Sequence, residues 1–292
     1  MLIAIHSAII DSLNFPMSTE PAIRTAAPAA VIDLGAYCRR IGYSGPLAPT
    51  LATLRALHEA HVGSISFENL NPLLGIPVGL DSESLQRKMV FGRRGGYCFE
   101  QNLLFKDVLE AIGFRVHGLA ARVRMGTTDT RARTHMVLRV AADGRDYLAD
   151  VGFGGDGLLE PVPLIAGTDL NLPIVPVRLL AQDGLWVLQA KQTGDWSDLY
   201  AFTLEPQERV DYQVANFYTA NWPESVFRKS LTAQRVRRHE RLILRNRDLT
   251  ILRLGETQKR EIRSAAEATL ILDRLFGVEV PAGYAIPEQI FS

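Results

Sequence analysis

Residues 134–154 read THMVLRVAADGRDYLADVGFG, and this stretch decides the β half of the fold. Asp143-Gly144 marks a two-residue hairpin turn between two runs of alternating apolar residues. The turn sets Ala142 opposite Arg145, so His135 faces Gly152 and Asp150 faces Val137. In that register Met136, Leu138, Val140, Ala149 and Val151 form one apolar core face. His135 and Asp150 share the other face as diagonal neighbours, roughly 7–8 Å apart and within side-chain reach. A one-residue slip would expose the core face, so the register is strongly specified. Gly152 leaves room above the imidazole.

Upstream of the hairpin the signals are helical. Asp33 can cap a short helix that Gly42 stops, Thr50 a helix from Leu51 to His61, and Asp81 one from Ser82 to Met89. A longer helix is expected from Cys98 to Ile112, ended by Gly113. Strands follow from Arg115, with later ones near Val175–Leu180, Leu185–Ala190 and Leu199–Thr203. Proline at 161, 163, 173 and 176 favours loops and sheet edges there. Val210 to Thr219 reads as helix. Arg241–Leu244 and Thr250–Leu254 read as a hairpin, and Ser264 with Glu267 as a capping box for a helix that Gly277 ends. The order is helical, then β, then mixed: an α+β chain in three segments, 31–113, 114–209 and 210–292. Residues 1–30 have no clear period and are expected to be a flexible extension, with Met17 as an alternative start. No positively charged segment precedes the apolar start, as a signal peptide would require.

Composition narrows the function. With 292 residues, 47% apolar and 22% charged, the chain can bury a sizeable core and is not a disordered or coiled-coil sequence. Lys+Arg and Asp+Glu are both 32, which lacks the basic excess of a dedicated nucleic-acid binder. No apolar run reaches membrane-spanning length. The two cysteines, Cys38 and Cys98, make no disulfide framework and suit free thiols in a reducing cytosol. No Cys/His cluster has zinc spacing.

Cys98 stands apart. In Arg93-Arg94-Gly95-Gly96-Tyr97-Cys98-Phe99-Glu100, two glycines break the chain just before the helix that opens at Cys98. A sulfur there meets unpaired backbone N–H groups and the positive end of the helix dipole, which favour an ionised nucleophile. Such a nucleophile needs a base, and the base an orienting acceptor. Of six histidines, His6 lies in the extension, His58 and His61 near a helix end in expected solvated or capping roles, and His239 in an exposed charged run. His135, with Asp150 on its face, completes a Cys98–His135–Asp150 hypothesis for acyl transfer or hydrolysis.

These motifs resemble those of the arylamine N-acetyltransferases. Arg94-Gly95-Gly96-Tyr97-Cys98-Phe99-Glu100, followed by Asn102, is similar to the nucleophile motif, Thr134–Leu138 to the histidine strand, and Asp150-Val151-Gly152-Phe153-Gly154 to the aspartate motif. Ser66-Phe67-Glu68-Asn69-Leu70 resembles the Pro-Phe-Glu-Asn-Leu segment, with Ser66 in place of proline. The resemblance covers about residues 31–280. It implies a helical domain, a β-barrel-like domain and an α/β lid around a cysteine-protease-like Cys-His-Asp core. It also implies ping-pong acetyl transfer from acetyl-CoA, through a Cys98 thioester, to an arylamine, arylhydrazine or arylhydroxylamine, with no metal. Glu68 and Arg94 would form a buried ion pair framing the site. Phe67 and Phe153 would wall the acceptor ring, and Gly154 would let the backbone approach the thioester arm. Arg131, Arg133, Arg235, Arg237 and Arg238 are candidates for CoA phosphates. Other readings are a macrocycle amide synthase of the same family, a transglutaminase-like or cysteine hydrolase, and a non-catalytic binding protein. The implied setting is cytoplasmic, with no nucleic-acid or membrane partner.

Overall fold

The computed structural model describes residues 31–291 apart from 128, 174, 193, 254 and 255. The expected extension, residues 1–30, lies outside this range. Helices α1 (Leu34–Ile41) and α2 (Leu51–Ser64) come first, then strand β1 (Phe67–Glu68), α3 (Leu70–Leu73), α4 (Ser82–Leu85) and α5 (Cys98–Ile112). A π-helical stretch carries α4 on to Phe91. The expected caps form. Asp33 accepts from Ala36 N at 2.7 Å, Thr50 from Thr53 N at 3.3 Å and Asp81 from Ser84 N at 2.8 Å. Each satisfies an amide that a helix start leaves unpaired.

The middle of the chain forms eight antiparallel strands: β2 (Arg115–Val123), β3 (His135–Ala142), β4 (Arg145–Ala149), β5 (Val162–Pro163), β6 (Asp169–Leu170), β7 (Val177–Gln182), β8 (Leu185–Gln192) and β9 (Asp195–Gln207). They order as β5-β4-β3-β2-β9-β8-β7-β6 in one curled, barrel-like sheet, with the proline-bearing β5 at an end. The β3–β4 hairpin has the expected register, from Ala142 opposite Arg145 to Leu138 opposite Ala149. Met136, Leu138, Val140, Ala149 and Val151 pack into a core shared with Leu103 and Val108 of α5. The other face is buried too, which the alternation did not foretell. Val137 and Leu148 join Leu119, Leu188 and Tyr200 inside the curled sheet, and His135 is buried at its edge. Curling closes a sheet on its own inner face, so neither face stays in water.

The last segment comprises α6 (Arg209–Asn221), α7 (Val226–Lys229), β10 (Thr232–Arg237), β11 (Glu240–Arg245), β12 (Asp248–Arg253), β13 (Glu256–Glu261) and α8 (Ala265–Ile271). Its sheet order is β1-β10-β11-β12-β13, so a strand from the helical segment is built into it. Strand β10 lies where the sequence reads as a run of charges. One face of it, Ala233 opposite Leu244, packs on a core with Leu272 and Phe276. Tyr212 of α6 packs instead with the first core, beside Phe99.

Within the helical segment, β1 and the loop into α5 lock together around Gly95. Glu68 N donates to Gly96 O at 3.0 Å, and Gln101 Nε2 of α5 donates to Ser66 O at 2.9 Å. A Cβ on Gly95 would fall 1.8 Å from Ser66 O, an overlap that only a shift of the backbone relieves. Gly95→Ala is therefore expected to cost about 1–3 kcal/mol in urea unfolding. Gly63→Ala, whose Cβ would meet nothing closer than 3.8 Å inside α2, is expected to be neutral or stabilising. Equal unfolding midpoints for the two variants would refute this packing.

Candidate active site

Helix α5 starts beside the hairpin because Gly152 allows it. A Cβ on Gly152 would lie 2.8 Å from Cys98 Cα and 2.7 Å from Asn102 Nδ2. The room opposite His135 is thus filled by the start of α5, not left open above the imidazole. Cys98 Sγ sits 3.5 Å from Thr134 O, next to His135, and is almost fully buried.

His135 Nε2 bonds Asp150 Oδ2 at 2.8 Å. Cys98 also interacts with the imidazole. The diagonal geometry read from the hairpin therefore closes into a direct bond. Burial opposes a charged imidazole. The Asp150 charge and hydrogen bond, aided by Cys98, outweigh it and push His135 up to about 10. Burial likewise opposes the Asp150 carboxylate. His135, Asn102 and the Gly152 amide overcome that and hold it below the usual carboxylate range.

Asn102, one turn beyond Cys98 on the same helix face, ties the site together. Its Nδ2 donates to Asp150 Oδ1 at 2.9 Å and to Met136 O at 2.8 Å. Its Oδ1 accepts from Val151 N at 3.1 Å. Gly152 N gives Asp150 Oδ1 another bond at 2.9 Å. The sequence displays Asn102 beside the nucleophile motif, and the spacing of four from Cys98 is the signal that could have assigned it.

His58 and His61 overturn their expected solvated or capping roles, because α2 is buried on the face that carries them and both imidazoles are wholly enclosed. His58 Nε2 accepts from Asp150 N at 3.2 Å, and Nδ1 bonds Leu159 O at 3.0 Å. It therefore fixes the backbone of the aspartate. His61 links Tyr37 Oη at 2.8 Å to Gln101 Oε1 at 2.7 Å, extending the network to the Gly95-Gly96 loop. Burial first, only partly offset by hydrogen bonds, lowers His58 to about 4 and His61 to about 3.

Glu68 and Arg94 form a buried pair, with Arg94 Nε 2.9 Å from Glu68 Oε1. Neither lines the cleft over Cys98: Arg94 belongs to the loop that leads into α5 and Glu68 to β1, so the pair ties that loop to the strand. Lys88 joins them, 2.7 Å from Glu100 and 3.7 Å from Glu68. Burial would raise Glu68, but Lys88 and Arg94 hold it below its ordinary value.

A cleft of about 540 Å³ opens above Cys98 and His135. Phe67 and Phe153 both line it, as does Phe227, which sequence reading missed because α7 carries no motif. Phe153 meets the His135 ring edge to face at 5.2 Å. Gly154 is not on the lining; a Cβ there would meet Gln234 Oε1 at 2.6 Å. Of the five candidate arginines only Arg131 reaches the cleft, joined by Arg245. Arg133 faces Glu205, Arg238 pairs with Glu59, and Arg237 donates to Gly63 O. Arg235 lines a separate pocket with Arg40. Among the described residues no group of His, Cys, Asp or Glu could hold a metal ion, and no helix is long and apolar enough to cross a membrane.

An N-acetyltransferase family profile matches residues 50–284. The arylamine N-acetyltransferase of Mycolicibacterium smegmatis is 43% identical over 255 residues, covering 85% of this chain and 93% of the relative. That of Escherichia coli K12 is 38% identical, with 85% and 89% covered. The structure of Mycobacterium marinum arylamine N-acetyltransferase in complex with CoA superposes with a TM-score of 0.81 at 41% identity, covering 84% of this chain and 93% of that one.

The neutral histidines make the fold sensitive to acid. The unfolded chain protonates them below about pH 6.5, whereas the fold keeps them neutral down to about 4 and 3. Unfolding between those values takes up protons, so stability is present above pH 6.5 and falls as pH falls. Near pH 5 the two histidines together contribute a slope of about 2–3 kcal/mol per pH unit. His135, raised in the fold, is protonated in both states there and adds none. His58→Gln is expected to remove roughly half of the histidine slope in urea unfolding across pH 4.5–6. An unchanged slope would refute the buried neutral assignment.

Proposed function

This chain belongs to the arylamine N-acetyltransferase family, and on that premise we propose how its own residues carry acetyl from acetyl-CoA to an aromatic amine. The observation that carries the reading is a sulfur at a helix start, beside an Asp150-held imidazole on the floor of a cleft walled by Phe67 and Phe153.

His135 holds a proton at neutral pH and pairs with a thiolate on Cys98. The thiolate attacks the thioester carbonyl of acetyl-CoA. The tetrahedral intermediate collapses, the acetyl group stays on Cys98, and the departing CoA sulfur takes the proton from His135. His135 is then neutral. It accepts a proton from the amine as the amine nitrogen attacks the acetyl-Cys98 carbonyl. Collapse releases the acetylated amine and returns the thiolate–imidazolium pair. Asp150 keeps the imidazole oriented and stabilises its charge throughout.

Phe67 and Phe153 supply apolar area for an arylamine, arylhydrazine or arylhydroxylamine ring. Glu68 and Arg94 serve by positioning the Gly95-Gly96 loop, since a buried pair of this kind adds little net stability. Gly154 acts behind Phe153, where close approach of Gln234 fixes the loop, so its part in binding is indirect. The three functional segments are 31–113, 114–209 and 210–292. The unpaired Cys38 and Cys98 fit a cytoplasmic setting.

Wild-type protein mixed with acetyl-CoA alone should gain one acetyl group on Cys98 by intact-mass and peptide analysis. A later addition of aromatic amine should remove it. Cys98→Ala should gain none. Asp150→Asn should keep its fold by circular dichroism but lose about 10³-fold or more in acetylation rate. Absence of an adduct on wild type, or acetylation of Cys98→Ala at the same peptide, would refute the mechanism.

A further inference from the structure

Helix α6 carries its apolar stripe outward. Its buried face is Tyr212, Asn216, Thr219 and Ala220. Its solvent face holds Val210, Val214 and Phe217, which are 62%, 74% and 70% exposed. Their spacing of four then three residues, continued by Asn221, is the seam spacing of paired helices. Beside the seam Tyr218 and Trp222 lie with rings stacked at 5.9 Å and 19°, both about half exposed. Scattered surface apolar residues are ordinary, but a contiguous stripe of this kind marks an interaction site.

We propose that this face is where two copies of this chain pair, α6 against α6, antiparallel about a twofold axis. Such an axis needs one patch that complements itself. The charges at the two ends of the stripe provide that. Glu208 and Asp211 stand at the N-terminal end, and Arg209 does not offset them because its guanidinium turns inward to Asp107. Beyond the C-terminal end stand Arg228 and Lys229. Glu224 pairs with Lys229, which leaves Arg228 exposed and without a carboxylate partner among the described residues. Antiparallel pairing sets each acidic end beside the other copy's Arg228. It also opposes the two helix dipoles, whereas parallel pairing would stack like charges and align the dipoles. The seam buries Phe217 near its centre, where a large aromatic contributes most.

Sedimentation velocity on the full chain at micromolar concentrations tests this. Wild type should be a dimer. Phe217→Glu should weaken the dimer by more than roughly tenfold, while the melting temperature and acetylation of Cys98 stay unchanged, because Phe217 touches neither core nor cleft. Arg228→Glu alone should weaken the dimer, and combining it with Asp211→Asn, which removes the like charge but keeps an acceptor for the Glu208 amide, should recover part of it. A wild-type chain that stays monomeric, whether residues 1–30 or an unrelated protein cover the stripe, overturns the proposal. So does a dimer that survives Phe217→Glu, or a double charge variant no tighter than Arg228→Glu.

Discussion

A carboxylate with no access to water dominates this structure. Removing a charge from water costs several kcal/mol unless bonds and an opposite charge replace the solvent. Asp150 receives His135 on one oxygen and Asn102 with the Gly152 amide on the other. Its backbone amide is taken by His58. Those partners come from the β3–β4 hairpin, from α5 and from α2. Satisfying one anion therefore fixes how the helical segment sits on the barrel-like sheet. The same requirement explains why Gly152 must lack a side chain: any Cβ would drive Cys98 and Asn102 away from the carboxylate.

The chemistry follows from that placement. Because Asp150 has its own needs met by fixed donors, it stays ionised and keeps the proton on His135. The sulfur beside that imidazolium is a partner for an acyl carbon, and the aromatic walls above it suit a flat apolar acceptor. A second, largely buried charge set, Glu68, Arg94, Lys88 and Glu100, ties β1, the loop into α5 and the first turn of that helix together. It is separate from the triad, so it can fix position without titrating with it.

Much of this was legible in the chain because it is local. The Asp143-Gly144 turn determines the register that puts His135 and Asp150 on one face. Caps at Asp33, Thr50, Asp81 and Ser264 mark helix starts through a single side chain. What stayed hidden depends on distant packing. His58 and His61 look like helix-end histidines until α2 is buried against α5 and the hairpin. Strand β10 looks like a charged run, since Arg235 and Arg237 interrupt a strand whose pairing with β1 spans well over a hundred residues. Asn102 was visible in sequence, but its role needs the hairpin beside it. The outward apolar face of α6 passes for an ordinary amphipathic pattern until the opposite face proves to be the buried one.

The central claim is that buried Asp150 keeps the proton on His135 in the resting enzyme. Nitrogen-15 NMR of the full-length protein at pH 8, with His135 assigned through His135→Gln, tests it most directly. Both ring nitrogens of His135 should remain protonated, as expected for a group raised to about 10, and Asp150→Asn should abolish this. A neutral His135 at pH 8 in the wild-type protein would contradict it.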